Sequence, residues 1–87
     1  MEFGALLRKI RKAHNLSLDG LSILSGVHKS NLCKMESGDL TPPKSLAAFE
    51  KFVEKTGFSD MEKFDLLQAA KMFHLNRIEE RFKRPHL

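Results

Sequence analysis

The stretch Leu16–Gly38, LSLDGLSILSGVHKSNLCKMESG, constrains the fold of this chain more than any other. Ser17 offers a short polar oxygen that can accept a bond from an orphan backbone N–H. It therefore reads as the cap of a helix over Leu18–Ser25. Leu21 takes the buried side of that helix. Gly26 stops it, at a point where the chain needs a positive φ and a side chain would clash. Val27 enters the core. A second helix follows over Lys29–Ser37, with Leu32 and Met35 facing inward one turn apart. Gly38 ends it. Two short helices joined by a tight glycine turn read as a helix-turn-helix.

The flanks read as helices too. Phe3, Leu7, Ile10 and His14 recur at spacings of four, three and four and predict a helix over Phe3–His14 with one inward stripe. After an Asp39–Pro43 loop, a helix is expected from Lys44, just after Pro43, to Thr56, with Leu46, Phe49 and Val53 inward. Gly57 stops it. Ser59 and Glu62 form a capping-box pattern for a helix over Asp60–Phe73. That helix is apolar on both sides: Phe64, Leu67 and Met72 on one, Leu66, Ala69, Ala70 and Phe73 on the other. Asn76 and Glu79 repeat the capping pattern, so Arg77–Lys83 reads as a separate sixth helix ended by Pro85. Ile23 and Leu24 leave more apolar surface than an isolated short helix tolerates, and are expected to meet another helix or a partner chain. Strand signals are poor. The expected fold is all-α: a compact five-helix domain over 1–73, with a helical extension over 74–87 that either dimerises or folds back.

Eighty-seven residues make one small domain, near the lower limit for an independent core. No apolar run is long enough to span a bilayer and no leader pattern is present. A single cysteine cannot form an internal disulfide, which fits a cytoplasmic protein. The net charge is +4, and it is unevenly spread. Residues 1–34 carry Arg8, Lys9, Arg11, Lys12, Lys29 and Lys34 against only Glu2 and Asp19, while the remainder is balanced. A locally basic face suits phosphate as a partner. The four histidines lack a second ligand at metal spacing, and no phosphate loop, cofactor motif or nucleophile–base set is present. The chain reads as a non-enzyme without cofactor or metal.

The pattern Leu-Ser-x-x-x-Leu-(small)-x-x-x-Gly-Val-x-x-x-x-Leu-x-x-x-Glu-x-Gly resembles the Xre/Cro-type helix-turn-helix of phage repressors. The resemblance runs from about Phe3 to Phe73 and includes Leu7, Ile10, Arg11, Glu36-Ser37-Gly38 and Pro43. It implies that Arg11 pairs with Glu36 and ties the first helix to the end of the third. Leu18 departs from it, standing where the family often has a Gln that touches DNA. Gly20 and Ser22 depart as well, at positions usually held by a better helix former and by Ala. Gly20 has two readings: a close backbone approach to a DNA phosphate, or a tolerated loss of helix propensity.

With Leu32 and Met35 inward, Lys29, Ser30, Cys33, Lys34 and Ser37 project outward, with Asn31 at the margin. Lys can donate to guanine and Ser to either kind of base edge in the major groove. Lys29, Ser30, Lys34 and Cys33 are therefore the expected base-reading residues, although Cys33 could instead serve as a redox switch. Lys12, Ser17, His28, Asn31, Ser37 and Lys44 are the expected phosphate contacts. Phe64, Leu67, Leu75, Ile78 and Phe82 are the expected dimerisation residues. The resulting expectation is a homodimeric regulator, of phage or mobile-element type, that represses by occupying a palindromic double-stranded operator. The rival is a protein-interaction module, such as an antitoxin that neutralises a partner protein, with DNA binding secondary or lost.

Overall fold

The computed structural model describes the backbone of residues 1–82 and the side chains of residues 1–76. Within them the chain forms five α-helices and no strand: α1 (Phe3–Ala13), α2 (Leu18–Ser25), α3 (Lys29–Ser37), α4 (Leu46–Val53) and α5 (Asp60–Phe82). Phe3, Leu7 and Ile10 carry α1 into the core, where they join Leu21, Leu32, Met35, Phe49 and Leu66. α1 packs on α3 and α5, and α2 packs on α3 and α4. No buried side-chain nitrogen or oxygen among the described residues lacks a hydrogen-bond partner.

The helix ends explain the connections. α1 closes with Asn15 in the left-handed region at φ 57°. Asn15 N–H donates to the Lys12 carbonyl and Leu16 N–H to that of Arg11, a Schellman arrangement. Gly38, at φ 88°, closes α3 the same way, with Asp39 N–H donating to the Lys34 carbonyl. Ser45 caps α4 through Ala48 N–H. Ser59 and Glu62 form a reciprocal capping box at the start of α5.

Several expectations are corrected. His14 is not a core residue: it is exposed at the end of α1, where its Nε2 meets Glu62 Oε1 at 2.8 Å and its ring lies 5.1 Å from Phe58. α4 starts at Leu46 rather than Lys44, because the Ser45 cap sets its first turn. Leu46 is 57% exposed, and Phe52, one turn short of Thr56, takes a core position instead. The break at Asn76 does not occur, since α5 continues to Phe82. A capping pair also stands at ordinary helical spacing, and only a non-helical backbone at its first residue makes it a stop. Pro85 lies outside the described residues, as do the side chains of Ile78 and Phe82. Only one side of α5 is committed: Leu66 and Ala70 are buried, Leu67, Ala69 and Phe73 half-buried, Phe64 and Met72 exposed. Ile23 stands 82% exposed, while Leu24 is half-buried.

The His14–Glu62 contact gives the fold a pH signature. The Glu62 carboxylate accepts Ser59 N–H and the His14 ring nitrogen, and these bonds hold its pKa below the ordinary carboxylate value. A carboxyl whose pKa is lower folded than unfolded adds stability above its unfolded pKa, about 4.3, and loses it as pH falls through the folded value. Glu62→Gln keeps the cap but removes the charge. The urea midpoint of the wild type should exceed that of Glu62→Gln at neutral pH, and the two should converge in acid. A gap that persists unchanged below pH 3 would contradict this assignment.

Candidate nucleic-acid interface

α2 and α3 are joined by a turn built from Gly26, at φ 76°. Gly26 N–H donates to the Ser22 carbonyl. The Ser22 hydroxyl donates to the Val27 carbonyl at 2.7 Å, and the Ser25 hydroxyl accepts Val27 N–H at 3.2 Å. The two serines therefore fix the angle at which α3 leaves α2. Arg11 then anchors the unit. Its Nε donates to Glu36 Oε2 at 2.7 Å and its Nη2 to Glu36 Oε1 at 3.0 Å. Its Nη1 donates to the Leu16 carbonyl at 2.9 Å. One guanidinium thus holds the last turn of α3 and the residue just before the α2 cap. The side chains are only 11% and 8% exposed, and the bond to Glu36 raises the Arg11 pKa further.

With Leu32 and Met35 buried, α3 exposes Lys29, Ser30, Asn31, Cys33, Lys34 and Ser37. Cys33 carries a free thiol. His28 caps α3: its Nδ1 accepts Ser30 N–H at 3.2 Å and lies 2.9 Å from the Ser30 hydroxyl. Nε2 is then left to carry the ring proton as a donor. Ser17 caps α2 by accepting Gly20 N–H at 2.9 Å and keeps its own O–H to give. Ser37 is differently placed. Its hydroxyl is directed to the Lys34 carbonyl and to Asp39 Oδ2, so it has no spare donor and a carboxylate beside it. Lys12 and Lys44 are exposed outside α3.

Two groups escaped the sequence reading. Asp19, in the first turn of α2, lies 3.4 Å from Lys29 Nζ, so a carboxylate stands at the start of α3 as well as at its end, where Asp39 lies. Gly4 lies where α1 crosses α3: a Cβ there would stand 2.4 Å from the Met35 carbonyl oxygen and 2.6 Å from that of Glu36. Gly20 has room by contrast, with the nearest atoms of Leu16 and Ser17 at 3.4 Å. Gly20→Ala should raise stability by up to about 1 kcal/mol through helix propensity alone. It should leave DNA affinity unchanged in a titration. A loss of affinity without a loss of stability would instead indicate close approach of a phosphate at Gly20.

Two short helices locked at a fixed angle, the second presenting a polar face with no role in the core, define the helix-turn-helix class of DNA-binding domain. The family model for the helix-turn-helix domain matches residues 2–66, most of the chain, and the protein belongs to that family. No curated protein and no solved structure matches the chain significantly. No helix among the described residues is long and apolar enough to cross a membrane.

Proposed function

We propose that this protein is a sequence-specific double-stranded DNA-binding regulator of the Xre/Cro type. It acts as a homodimer and represses by occupying a palindromic operator, with α3 in the major groove. The observation that carries this reading is the exposed row Lys29, Ser30, Cys33 and Lys34 on a helix fixed at both ends. Such a helix presents its N-terminal residues to base edges. Lys29 and Ser30 occupy that end, and the Asp19 carboxylate beside Lys29 steadies its ammonium. Lys12, Ser17, His28, Asn31 and Lys44 surround this row as phosphate contacts. Ser37 serves the end of α3 rather than DNA.

The two kinds of contact separate experimentally. Lys29→Ala should change the preferred sequence and cost about 1–3 kcal/mol on the wild-type site. Lys12→Ala should weaken all sequences alike and reduce the slope of log K against log salt by about one. A preferred site left unaltered by Lys29→Ala, read by selection from random oligonucleotides, would remove α3 as the reading helix.

A further inference from the structure

We propose that Ser30 meets DNA as an acceptor only, and takes its hydrogen bond from the exocyclic amino group of a cytosine or an adenine. This rests on the DNA-binding reading above and names the chemistry that one residue of α3 reads.

His28 and Ser30 fix the direction of two bonds. Ser30 N–H donates to His28 Nδ1 at 3.2 Å. A backbone amide nitrogen has a hydrogen to give and accepts none, so Nδ1 is the acceptor and carries no hydrogen of its own. The Ser30 hydroxyl oxygen lies 2.9 Å from the same ring nitrogen. With no hydrogen on Nδ1, the hydroxyl must be the donor in that contact. Its single hydrogen is therefore turned back to the ring, and its lone pairs stay open. Ser30 itself is exposed, in the first turn of α3.

Ser17 has the opposite polarity. Its oxygen accepts Gly20 N–H at 2.9 Å and its hydrogen remains to be given. That suits a phosphate oxygen, which only accepts. Ser30 offers lone pairs instead, which a phosphate would repel. In the major groove the donors are the N4 amino group of cytosine and the N6 amino group of adenine, whereas guanine presents O6 and N7 as acceptors and thymine O4. Turning the Ser30 hydroxyl outward to donate would give up its bond to Nδ1. Accepting from an amino group gives up nothing. Lys29, one residue earlier, is a donor only, so the two neighbours read opposite groups. His28 is a positioning residue in this arrangement, acting on the base through Ser30.

Replacing single atoms in the operator tests this. Selection from random oligonucleotides, with the wild type and with Ser30→Ala, first identifies the base pair whose preference Ser30 sets. At that pair the amino group is then removed, by purine in place of adenine or 2-pyrimidinone in place of cytosine. Separately, N7 is removed with a 7-deazapurine. Titrating both proteins on the same duplex cancels any effect on the duplex itself. Loss of the amino group should weaken the wild type by roughly 2- to 10-fold, the size of one net hydrogen bond, and leave Ser30→Ala unaffected. Loss of N7 should affect both proteins alike. His28→Ala frees the hydroxyl hydrogen and should broaden the preference at that pair alone. His28→Asn, whose amide oxygen caps the helix and accepts the same two hydrogens, should keep it sharp. If His28→Ala weakens all sequences alike and leaves the preference at that pair intact, His28 serves only as a cap and the proposal fails. It fails too if the wild type and Ser30→Ala select the same sequence, respond alike to loss of the amino group, or differ in their response to loss of N7. In each of these cases a selected sequence leaves the DNA-binding reading standing, whereas the absence of any selected sequence removes both.

Discussion

Adding one methyl group at Gly4 is expected to destabilise this protein by about 3 kcal/mol, the upper end of the cost of overpacking. In an open helix the same change would stabilise by roughly 1 kcal/mol. The sign reverses here because the new Cβ meets backbone: the carbonyl oxygens of Met35 and Glu36, at 2.4 and 2.6 Å. A side chain in the way could rotate, but these oxygens belong to the last turn of α3 and move only if α1 and α3 separate. Such a shift would also pull Arg11 away from Glu36. At roughly 4–8 °C per kcal/mol, the melting temperature of Gly4→Ala should fall by more than about 10 °C. A variant that melts with the wild type would show that the two helices do not approach as closely as described.

The second large effect lies in the Arg11–Glu36 pair. Both side chains are nearly buried, and the geometry is bidentate. Exposed ion pairs contribute less than about 1 kcal/mol, but removing one partner of a buried pair leaves a charge without compensation and costs about 3 kcal/mol or more. Arg11→Ala should therefore lose about 3 kcal/mol, including the bond to the Leu16 carbonyl, and Glu36→Ala a similar amount. The double variant should cost clearly less than the sum. Arg11→Lys should rescue little, since an ammonium cannot span both carboxylate oxygens and the Leu16 carbonyl. Additive losses in a double-mutant cycle would mean that the pair does not couple α1 to α3.

The parts of the fold that could be read from the sequence are those fixed by neighbours along the chain. Ser17 caps three residues ahead, Gly26 and Gly38 adopt the left-handed backbone that a glycine tolerates, and Ser59 finds Glu62 within one turn. The inward positions Leu7, Leu21, Leu32 and Met35 follow from helical spacing. What escaped depends on contacts between distant segments. Nothing near Gly4 announces the carbonyls of α3, except that glycine is a poor choice in a helix. His14 fits the spacing of the α1 stripe, yet it lies beyond the last helical residue, where Glu62 holds it at the surface. Pro43 points to a helix start, but Ser45 decides it. For the outward row of α3, spacing identified the exposed residues. It did not show that the Ser37 hydroxyl is occupied by Lys34 and Asp39, or that Asp19 reaches Lys29.

Selection of genomic fragments by the purified 87-residue chain, followed by footprinting of the enriched sites over a range of salt, tests the central claim most directly. The account predicts one enriched sequence with two-fold symmetry. Its protected half-sites should lie about one helical turn, roughly 34 Å, apart. Affinity for it should fall steeply as salt rises. No enrichment over random DNA, with no salt-dependent binding to any fragment, would contradict the reading of this protein as a DNA-binding regulator.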